Sequence, residues 1–309
     1  MHRVSAVIAT KDRLGELAGC LSAIAAQRFD GALEVIVVND GGARVDEVCR
    51  AFADRMEIRW INLDEPCGQV AARNRALSLA TGDLAAFCDD DDRWLPEHVA
   101  ALVDALDAHP EAVAAFTDAE LVEVGPMDGR GRAGGEARES GDRGASTSGR
   151  RGPGPSFAPA SAQPTAGRVT GERRVFAWRD PLSLLTRYNP IIPSSLMYRT
   201  RVHGVIGGLD EAMSHYWDWD FALRLAKAGT LLRVPRCLTL YAVHTGGENL
   251  SADPARMADA RRALFAKHGL VDTGPSNFWR MCADPRLAPE RAESERVWDG
   301  DPAIFHPPV

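Results

Sequence analysis

Short apolar runs alternate with amphipathic stretches over the first 117 residues. The apolar runs are bounded by polar residues or glycine, as buried strands are, and they fall at residues 4–9, 33–38, 57–61, 84–88 and 112–117. Apolar residues recur at helical spacing in the stretches between them, at residues 14–27, 45–55, 69–80 and 96–108. Because strands that alternate with helices form parallel sheets covered on both faces, this region predicts an α/β fold with a mostly parallel sheet.

The pattern breaks down between residues 125 and 171, where Gly, Arg, Ser and Pro dominate. Such a segment buries too little apolar surface to offset the entropy of ordering it, so we predict a disordered insertion; the alternative is a loop whose arginines hold an anionic surface. Beyond it we predict a helix from residue 180, a strand at 191–198, a helix at 218–228, a β-rich segment at 231–243 and a helix at 252–268. The chain therefore divides into residues 1–124, the insertion, residues 172–250 and a C-terminal helical extension at 251–309.

Composition and charge narrow the classes of protein to consider. The 309 residues include 36 Lys and Arg against 43 Asp and Glu, a net charge of −7, whereas a nucleic-acid-binding domain is usually basic. No apolar run approaches the roughly 18 residues of a membrane span, and residues 4–9 are too short for a signal peptide. The six cysteines form no CxxC pair, so neither a zinc site nor a disulfide framework is indicated. We expect a cytoplasmic protein with free thiols and no nucleic-acid partner.

Polar side chains directly follow three of the predicted strands. They are Thr-Lys-Asp at residues 10–12, Asn-Asp-Gly-Gly at residues 39–42 and four consecutive aspartates at residues 89–92. Ligands of open parallel sheets bind beyond the carboxyl ends of the strands, so these clusters should converge at one edge. Adjacent carboxylates repel by about 1 kcal/mol in water and more near a protein surface, and a hard divalent cation turns that repulsion into a binding site. The alternatives are a solvated acidic turn that helps cap the next helix, and a simple β-turn at residues 39–42.

The motifs and their order resemble those of family 2 glycosyltransferases with the GT-A fold. The first half carries SAVIATKDR (residues 5–13), VIVVNDG (35–41), ARN (72–74), ATGD (80–83) and FCDDDD (87–92). The second half adds GGLDE (207–211), WDWD (217–220) with Arg224, and Tyr241 with His244. Each motif is weak by itself, but their order and spacing match the family over about residues 4–250.

The resemblance implies an activity and a role for each matching residue. The activity is metal-dependent, inverting transfer of a sugar from a nucleotide sugar, expected to be a UDP-sugar, to an acceptor hydroxyl. Residues 1–124 would bind the donor, and residues 172–250 would hold the acceptor and the catalytic base, Asp218. Asp91, in the family's DXD motif, and His244 would bind Mn²⁺ or Mg²⁺. The residues assigned to substrate binding are Thr10, Asp12, Arg13, Asp40, Arg73, Asn74, Asp89, Asp90 and Trp217.

The surroundings of Asp218 leave a second interpretation open. It begins a helical run, where the helix dipole stabilises an ionised carboxylate that can act as a general base. It can equally cap that helix while Asp220 pairs with Arg224. The family usually has an acidic residue where this chain has Trp217, so Trp217 is either a platform for a sugar or an aromatic acceptor, or a core residue.

Other roles and functions also fit parts of the sequence. Arg73 can make a surface salt bridge, and His244 can be a structural histidine. A sugar-phosphate nucleotidyltransferase would need a glycine-rich phosphate loop after the first strand, and a dinucleotide oxidoreductase would need GxGxxG there; residues 10–13 provide neither. A non-catalytic nucleotide-sugar-binding protein remains an alternative. The acceptor is left open as a glycan, a lipid-linked saccharide or a small natural product.

Overall fold

A computed structural model describes residues 2–125, 168–244 and 254–305. The strands in this part of the chain are β1 (Arg3–Thr10), β2 (Ala32–Asn39), β3 (Glu57–Asn62), β4 (Leu84–Phe87), β5 (Arg93–Trp94), β6 (Ala114–Gly125), β7 (Arg168–Phe176), β8 (Leu196–Arg199), β9 (Leu231–His244) and β10 (Glu295–Arg296). The α-helices are α1 (Leu14–Ala25), α2 (Asp46–Arg50), α3 (Gln69–Leu77), α4 (His98–Ala108), α5 (Pro181–Leu184), α6 (His203–Ile206), α7 (Trp217–Ala228), α8 (Pro254–His268) and α9 (Phe278–Ala283).

The described strands form one sheet in the order β10-β9-β6-β8-β4-β1-β2-β3, with β5 paired to β9 and β7 paired to β6. The pairs β1–β2, β1–β4, β2–β3, β6–β9 and β9–β10 are parallel, whereas β8 runs antiparallel between β4 and β6. The predicted parallel α/β sheet is therefore confirmed for the first half of the chain. Its parallel strands end at one edge, which is where a ligand would bind.

Apolar residues cover both faces of the sheet. Along β1, Val7 packs into one buried cluster, while Val4, Ala6 and Ile8 pack into the other. This alternation follows from the two-residue period of a strand, and it explains why the run at residues 4–9 is almost continuously apolar. Helix α7 packs into the first cluster, on the same face as Val7. The core therefore fixes α7 relative to the strand ends.

The structure moves several boundaries drawn from the sequence, among them those of the insertion and of the strand predicted at 191–198. Gly125 and residues 168–171, assigned to the insertion, belong to β6 and β7, which pair across it. The rest of the insertion, residues 126–167, lies outside the described residues. The strand predicted at 191–198 starts only at Leu196, after a 3₁₀ turn at Pro193–Ser195, because proline offers no N–H to a sheet ladder.

The C-terminal segment, predicted as a helical extension at residues 251–309, also contains a strand that returns to the sheet. Strand β10 adds to β9 in parallel, with Glu295 beside Arg236. Helix α9 packs against β7, where Met281 is buried with Phe176. No helix in the described part of the chain is long and apolar enough to cross a membrane.

Candidate active site

A cleft of about 720 Å³ opens at the carboxyl ends of β1, β2 and β4. Nine of the twelve residues that the sequence assigned to the site line it, whereas Asp12, Asn74 and His244 do not. We call one side the strand-end wall, formed by Thr10, Arg13, Asp40, Arg73, Asp89, Asp90 and Asp91. We call the other side the distal wall, formed by Arg187, Tyr188, Asn189, Met257, Arg261, Asn277, Phe278 and Trp279. Trp217 and Asp218, at the start of α7, also line the cleft.

Asp90 lies at the bottom of the strand-end wall and is only 3% exposed. Thr10 Oγ1 donates a hydrogen bond to it over 2.6 Å, and Arg13 Nη1 donates another over 2.9 Å. Burial raises the pKa of Asp90 to about 7, with the neighbouring Asp91 adding to the rise and Arg13 opposing it. Its side chain is thus held by protein groups on both oxygens.

Asp91 has the opposite electrostatic character to Asp90. Although burial acts to raise its pKa, a hydrogen bond from His244 and the charge of Arg13 hold the pKa of Asp91 below its usual range. His244 Nε2 lies 3.0 Å from Asp91 Oδ2, and Arg13 Nη2 lies 2.6 Å from the same oxygen. Asp91 is therefore ionised at neutral pH, and it borders the cleft with a histidine behind it.

Asp92, the last of the four aspartates, is fully buried and does not line the cleft. Its Oδ2 accepts a hydrogen bond from Ser194 Oγ over 2.5 Å, and its Oδ1 accepts one from the backbone N–H of Ala242 over 3.0 Å. Ser194 Oγ also accepts a hydrogen bond from the backbone N–H of Asp89. Asp92 therefore joins the end of β4 to β9, and through Ser194 it is connected to the backbone of Asp89.

The carboxylates around Asp91 provide few ready metal ligands. Among residues 2–125, 168–244 and 254–305, no three His, Cys, Asp or Glu side chains form a group that could hold a metal ion. Asp91 and His244 lie within 3.0 Å of one another, and Mg²⁺ typically takes one or two protein carboxylates, with water and substrate phosphates as its other ligands. The pair fits a cation of that kind, which would compete with Arg13 for the same oxygen.

The carboxylate of Asp40, in the loop after β2, is hydrogen-bonded to backbone N–H groups of the protein. Asp40 accepts hydrogen bonds from the backbone N–H groups of Cys67 and Gly68, at 2.7 Å and 3.0 Å, just before α3. Asp12 points away from the cleft and accepts a hydrogen bond from the backbone N–H of Ala43 over 2.8 Å. Gly42 has a φ of +80°, and a Cβ there would lie 2.1 Å from Asp12 Oδ1, so only glycine fits this turn.

Arg73 and Trp217 form one stacked unit in the wall of the cleft. The guanidinium of Arg73 lies 4.4 Å from the centroid of the Trp217 ring, and Arg73 also hydrogen-bonds to Asp89. Both residues are about 95% buried, and the rings of Trp217 and Phe87 pack in a T-shaped contact with a centroid distance of 5.3 Å. Trp217 therefore belongs to the core and to the cleft at once, and Arg73 is not a surface salt bridge.

Asn74 lies behind the cleft, where it connects two loops. Its Nδ2 donates to the carbonyl oxygen of Leu209 and to Glu211, and its Oδ1 accepts from the N–H of Leu209. The sequence assigned Asn74 to substrate binding, but its amide is committed to the GGLDE segment. Asn74 thus joins the ARN motif, to which it belongs, to the GGLDE motif.

Asp218 and Asp220 have different environments although they are two residues apart. Asp218 borders the cleft, and Asn189 Nδ2 donates a hydrogen bond to its Oδ2 over 2.7 Å. Burial raises the pKa of Asp218 to about 6. Asp220 is fully buried on the other side of α7, where Arg224, Lys267 and His268 surround it. Burial acts to raise its pKa, but these three partners more than offset that effect and lower it.

Comparison with known proteins identifies the family. A sequence profile described as Glycosyl transferase family 2 matches residues 5–147. The uncharacterized glycosyltransferase YwdF of Bacillus subtilis (strain 168) is 31% identical over 301 residues, which is 97% of each chain. The chain belongs to glycosyltransferase family 2. Membership of this family supports a glycosyltransferase over the nucleotidyltransferase and the non-catalytic binding protein that the sequence left open.

Solved structures show that this family 2 glycosyltransferase has the GT-A fold. Residues 1–349 of S. aureus TarS, in complex with UDP-GlcNAc, are 17% identical with a TM-score of 0.57, covering 86% of this chain and 66% of that one. The mannosyltransferase PcManGT from Pyrobaculum calidifontis, in complex with GDP-Man and Mn²⁺, is 16% identical with a TM-score of 0.55, covering 89% of this chain and 66% of that one. The chain thus spans about two thirds of the length of either solved chain.

Sequence reasoning missed the distal wall of this glycosyltransferase. Asn189, which binds Asp218, follows no strand and belongs to no recognised motif. Arg261 and Phe278 come from α8 and α9, in the C-terminal extension. The local signal that the sequence offered is a pair of polar residues, Arg187 and Asn189, on either side of Tyr188.

Proposed function

We propose that the protein is an inverting glycosyltransferase that transfers a sugar from a UDP-sugar to an acceptor hydroxyl by a single, metal-dependent displacement. The observation that carries this proposal is the position of Asp218. It faces the same cleft as Asp89, Asp90 and Asp91, with a pKa of about 6 and a hydrogen bond from Asn189. A carboxylate that ionises just below neutral pH is suited to take a proton from an acceptor hydroxyl.

The residues of the chain divide the work of this displacement. Asp218 accepts the proton of the acceptor hydroxyl as that oxygen attacks the anomeric carbon. Asn189 holds the carboxylate in place and stabilises its ionised form. Arg73, in the strand-end wall, and Lys11, which follows β1 and also lines the cleft, have positive charges that stabilise the diphosphate that leaves. Because acceptor and leaving group lie on opposite sides of the carbon, the displacement inverts its configuration.

A divalent cation completes the proposed site. Asp91 and His244 would hold Mn²⁺ or Mg²⁺, and a bound cation neutralises charge that develops on the diphosphate. Imidazole together with carboxylate suits Mn²⁺. Two observations on other proteins support the choice of a divalent cation and a nucleotide-sugar donor. PcManGT is solved with GDP-Man and Mn²⁺, and TarS is solved with UDP-GlcNAc.

Thermal unfolding with UDP tests the donor and the metal together. A ligand at one hundred times its Kd stabilises the folded state by about 2.7 kcal/mol, so UDP with Mn²⁺ should raise the Tm measurably. Asp91→Asn should remove the part of that rise that depends on Mn²⁺. Asp104→Asn, an exposed change on α4, is the matched control and should leave the rise intact. A full UDP-dependent rise in EDTA would contradict the metal dependence.

We also propose that the protein works in a reducing, cytoplasmic compartment. All six cysteines are free thiols, and Cys20 and Cys88 keep their sulfurs 3.5 Å apart without a bond. Disulfides are rare in reducing compartments, where thiols stay unbonded. Protein alkylated at lysis under denaturing conditions should carry six alkyl groups per chain by mass spectrometry.

A further inference from the structure

The two walls of the cleft differ in charge. The strand-end wall contains four aspartates beside its arginines. Among the described residues that line the cleft from residue 187 onward, the only carboxylate is Asp218, whereas Arg187 and Arg261 both contribute a fixed positive charge. The acceptor must approach Asp218 from this side, since the strand-end wall is assigned to the donor. The distal wall therefore presents cations to whatever carries the reacting hydroxyl.

Arg261 is a buried arginine whose hydrogen-bond donors are only partly paired among the described residues. It lies on α8, is 5% exposed, and donates from Nη2 to Asp272 over 2.7 Å and to Thr273 over 3.4 Å. Its guanidinium lies 4.9 Å from the centroid of Phe265. No acceptor among the described residues reaches its Nε, which is itself buried. Among the described residues only Nη2 of the guanidinium has acceptors, so the N–H donors of Nη1 remain for an anion in the cleft.

Arg187 lies on the neighbouring segment and is tied to the same threonine. The hydroxyl of Thr273, which accepts from Arg261, donates to the backbone carbonyl of Arg187 over 3.0 Å. The side chain of Arg187 is 44% exposed and forms an ion pair with Glu290 over 3.2 Å. The two arginines thus approach the cleft from α8 and from the loop after α5. Their carboxylate partners are on the surface side, with Asp272 52% exposed and Glu290 35% exposed.

Both arginines line the same cleft as the proposed catalytic base. Asn189, which binds Asp218, is only two residues from Arg187. The pKa of Tyr216, which directly precedes α7, is raised by burial and by the charge of Asp218, and the charge of Arg261 opposes that rise. The aromatic rings of Tyr216 and Phe278 line the cleft beside them and offer apolar faces to a sugar ring.

We propose that the distal wall binds an anionic group, a phosphate or a carboxylate, on the acceptor saccharide, through Arg261 and Arg187. This inference rests on the proposed function, since it takes Asp218 as the base for the same acceptor. A guanidinium recognises either oxyanion by paired, charge-assisted hydrogen bonds. An acceptor with such a group close to its reacting hydroxyl is thereby oriented towards Asp218, and a neutral analogue is not.

Binding of matched sugars to the UDP-saturated full-length protein tests the inference. The probes are glucose, glucuronate and glucose 6-phosphate, measured by calorimetry in the presence of Mn²⁺ and UDP. We expect one or both anionic probes to bind about tenfold more tightly than glucose. The comparison of glucuronate with glucose 6-phosphate distinguishes a carboxylate site from a phosphate site. Arg261→Gln should abolish this preference, Arg261→Lys should retain part of it, and Arg187→Gln should reduce it severalfold.

The control variant is Arg286→Gln, which removes an arginine that is 75% exposed and paired only with Asp284 among the described residues. It should leave the preference unchanged. Equal binding of the three probes, or equal losses in Arg187→Gln and Arg286→Gln, would overturn the inference while UDP binding still supports the proposed function. Competition between the anionic probes and UDP would also overturn it, because the arginines would then serve the donor. A protein that binds no UDP at all would overturn the proposed function and this inference together.

Discussion

The strand-end wall and the distal wall of the cleft are built in different ways. Apart from Arg73 on α3, the first consists of residues at or just beyond the ends of β1, β2 and β4, and their positions are fixed as soon as those strands pair in register, Thr10 beside Asn39. The second is assembled from residues 187–189, 257–261 and 277–279, which meet only when the C-terminal segments pack. The first is compact, acidic and crossed by ion pairs. The second is aromatic and basic, so the two walls suit ligands of different kinds.

Replacement of Asp218 should have the largest effect on catalysis, since Asp218 stands between these two walls. Asp218→Asn keeps the shape and the hydrogen bond with Asn189 but cannot accept a proton. A general base contributes about 10²–10⁴-fold in rate, so kcat should fall by that factor while the Kd for UDP stays nearly unchanged. In the parent enzyme kcat should fall as the pH drops through about 6, where Asp218 becomes protonated. A variant with parental kcat would show that another group is the base.

Asp220 should affect stability, where Asp218 affects rate. Asp220→Asn weakens a fully buried ion cluster with Arg224, Lys267 and His268, and breaking a buried pair typically costs about 3–5 kcal/mol. The Tm should fall on the order of 10 °C, while kcat of the folded enzyme is retained. Because the folded-state pKa of Asp220 is lowered, its stabilising effect is present above 3.8 and is lost as the pH falls, so parent and variant should converge in acid. Asp104→Asn should change neither quantity.

The contrast also corrects an expectation about Asp220. Its pairing with Arg224 on one helix predicts a contribution of a few tenths of a kcal/mol, as for an exposed pair. The structure places this pair in the interior and adds Lys267 and His268 from α8. Those two residues lie about fifty positions further along the chain, and no local pattern announces that they return to α7. The consequence of replacing Asp220 could therefore not be predicted from the sequence.

The strand-end wall was largely predictable because it depends on local order. An apolar run followed by aspartates identifies both the strand and the edge at which it ends, and the cleft lies there. Four identical residues in a row, however, cannot be told apart by type. Burial and partners distinguish them: Asp92 joins β4 to β9, Asp90 lies between Thr10 and Arg13, and Asp91 is ionised beside His244.

The distal wall was not predictable, and the reason is topological. Arg187, Arg261 and Phe278 belong to three separate segments whose meeting depends on how α9 packs against β7 and β9 and how α8 packs against α7. None of them follows a strand or stands in a recognised motif. Trp217 shows the same limit on a smaller scale: the sequence offered a sugar platform or a core residue, and the structure gives it core packing on Phe87 and a face on the cleft.

Asn189 should have the smallest effect, because it acts on the base without reacting. Asn189→Ala removes the donor to Asp218, and a hydrogen bond to a charged group contributes about 1.5–3 kcal/mol, equivalent to roughly one to two pH units. Loss of that bond raises the pKa of Asp218 further, so the acid limb of the kcat profile should move from about 6 to higher pH. We expect about a tenfold loss of kcat near pH 6.5, with recovery above pH 8. Adding Asn189→Ala to Asp218→Asn should cause no further shift of the pH profile. If Asn189→Ala alone lowers kcat by the same factor at every pH, Asn189 has only a packing role.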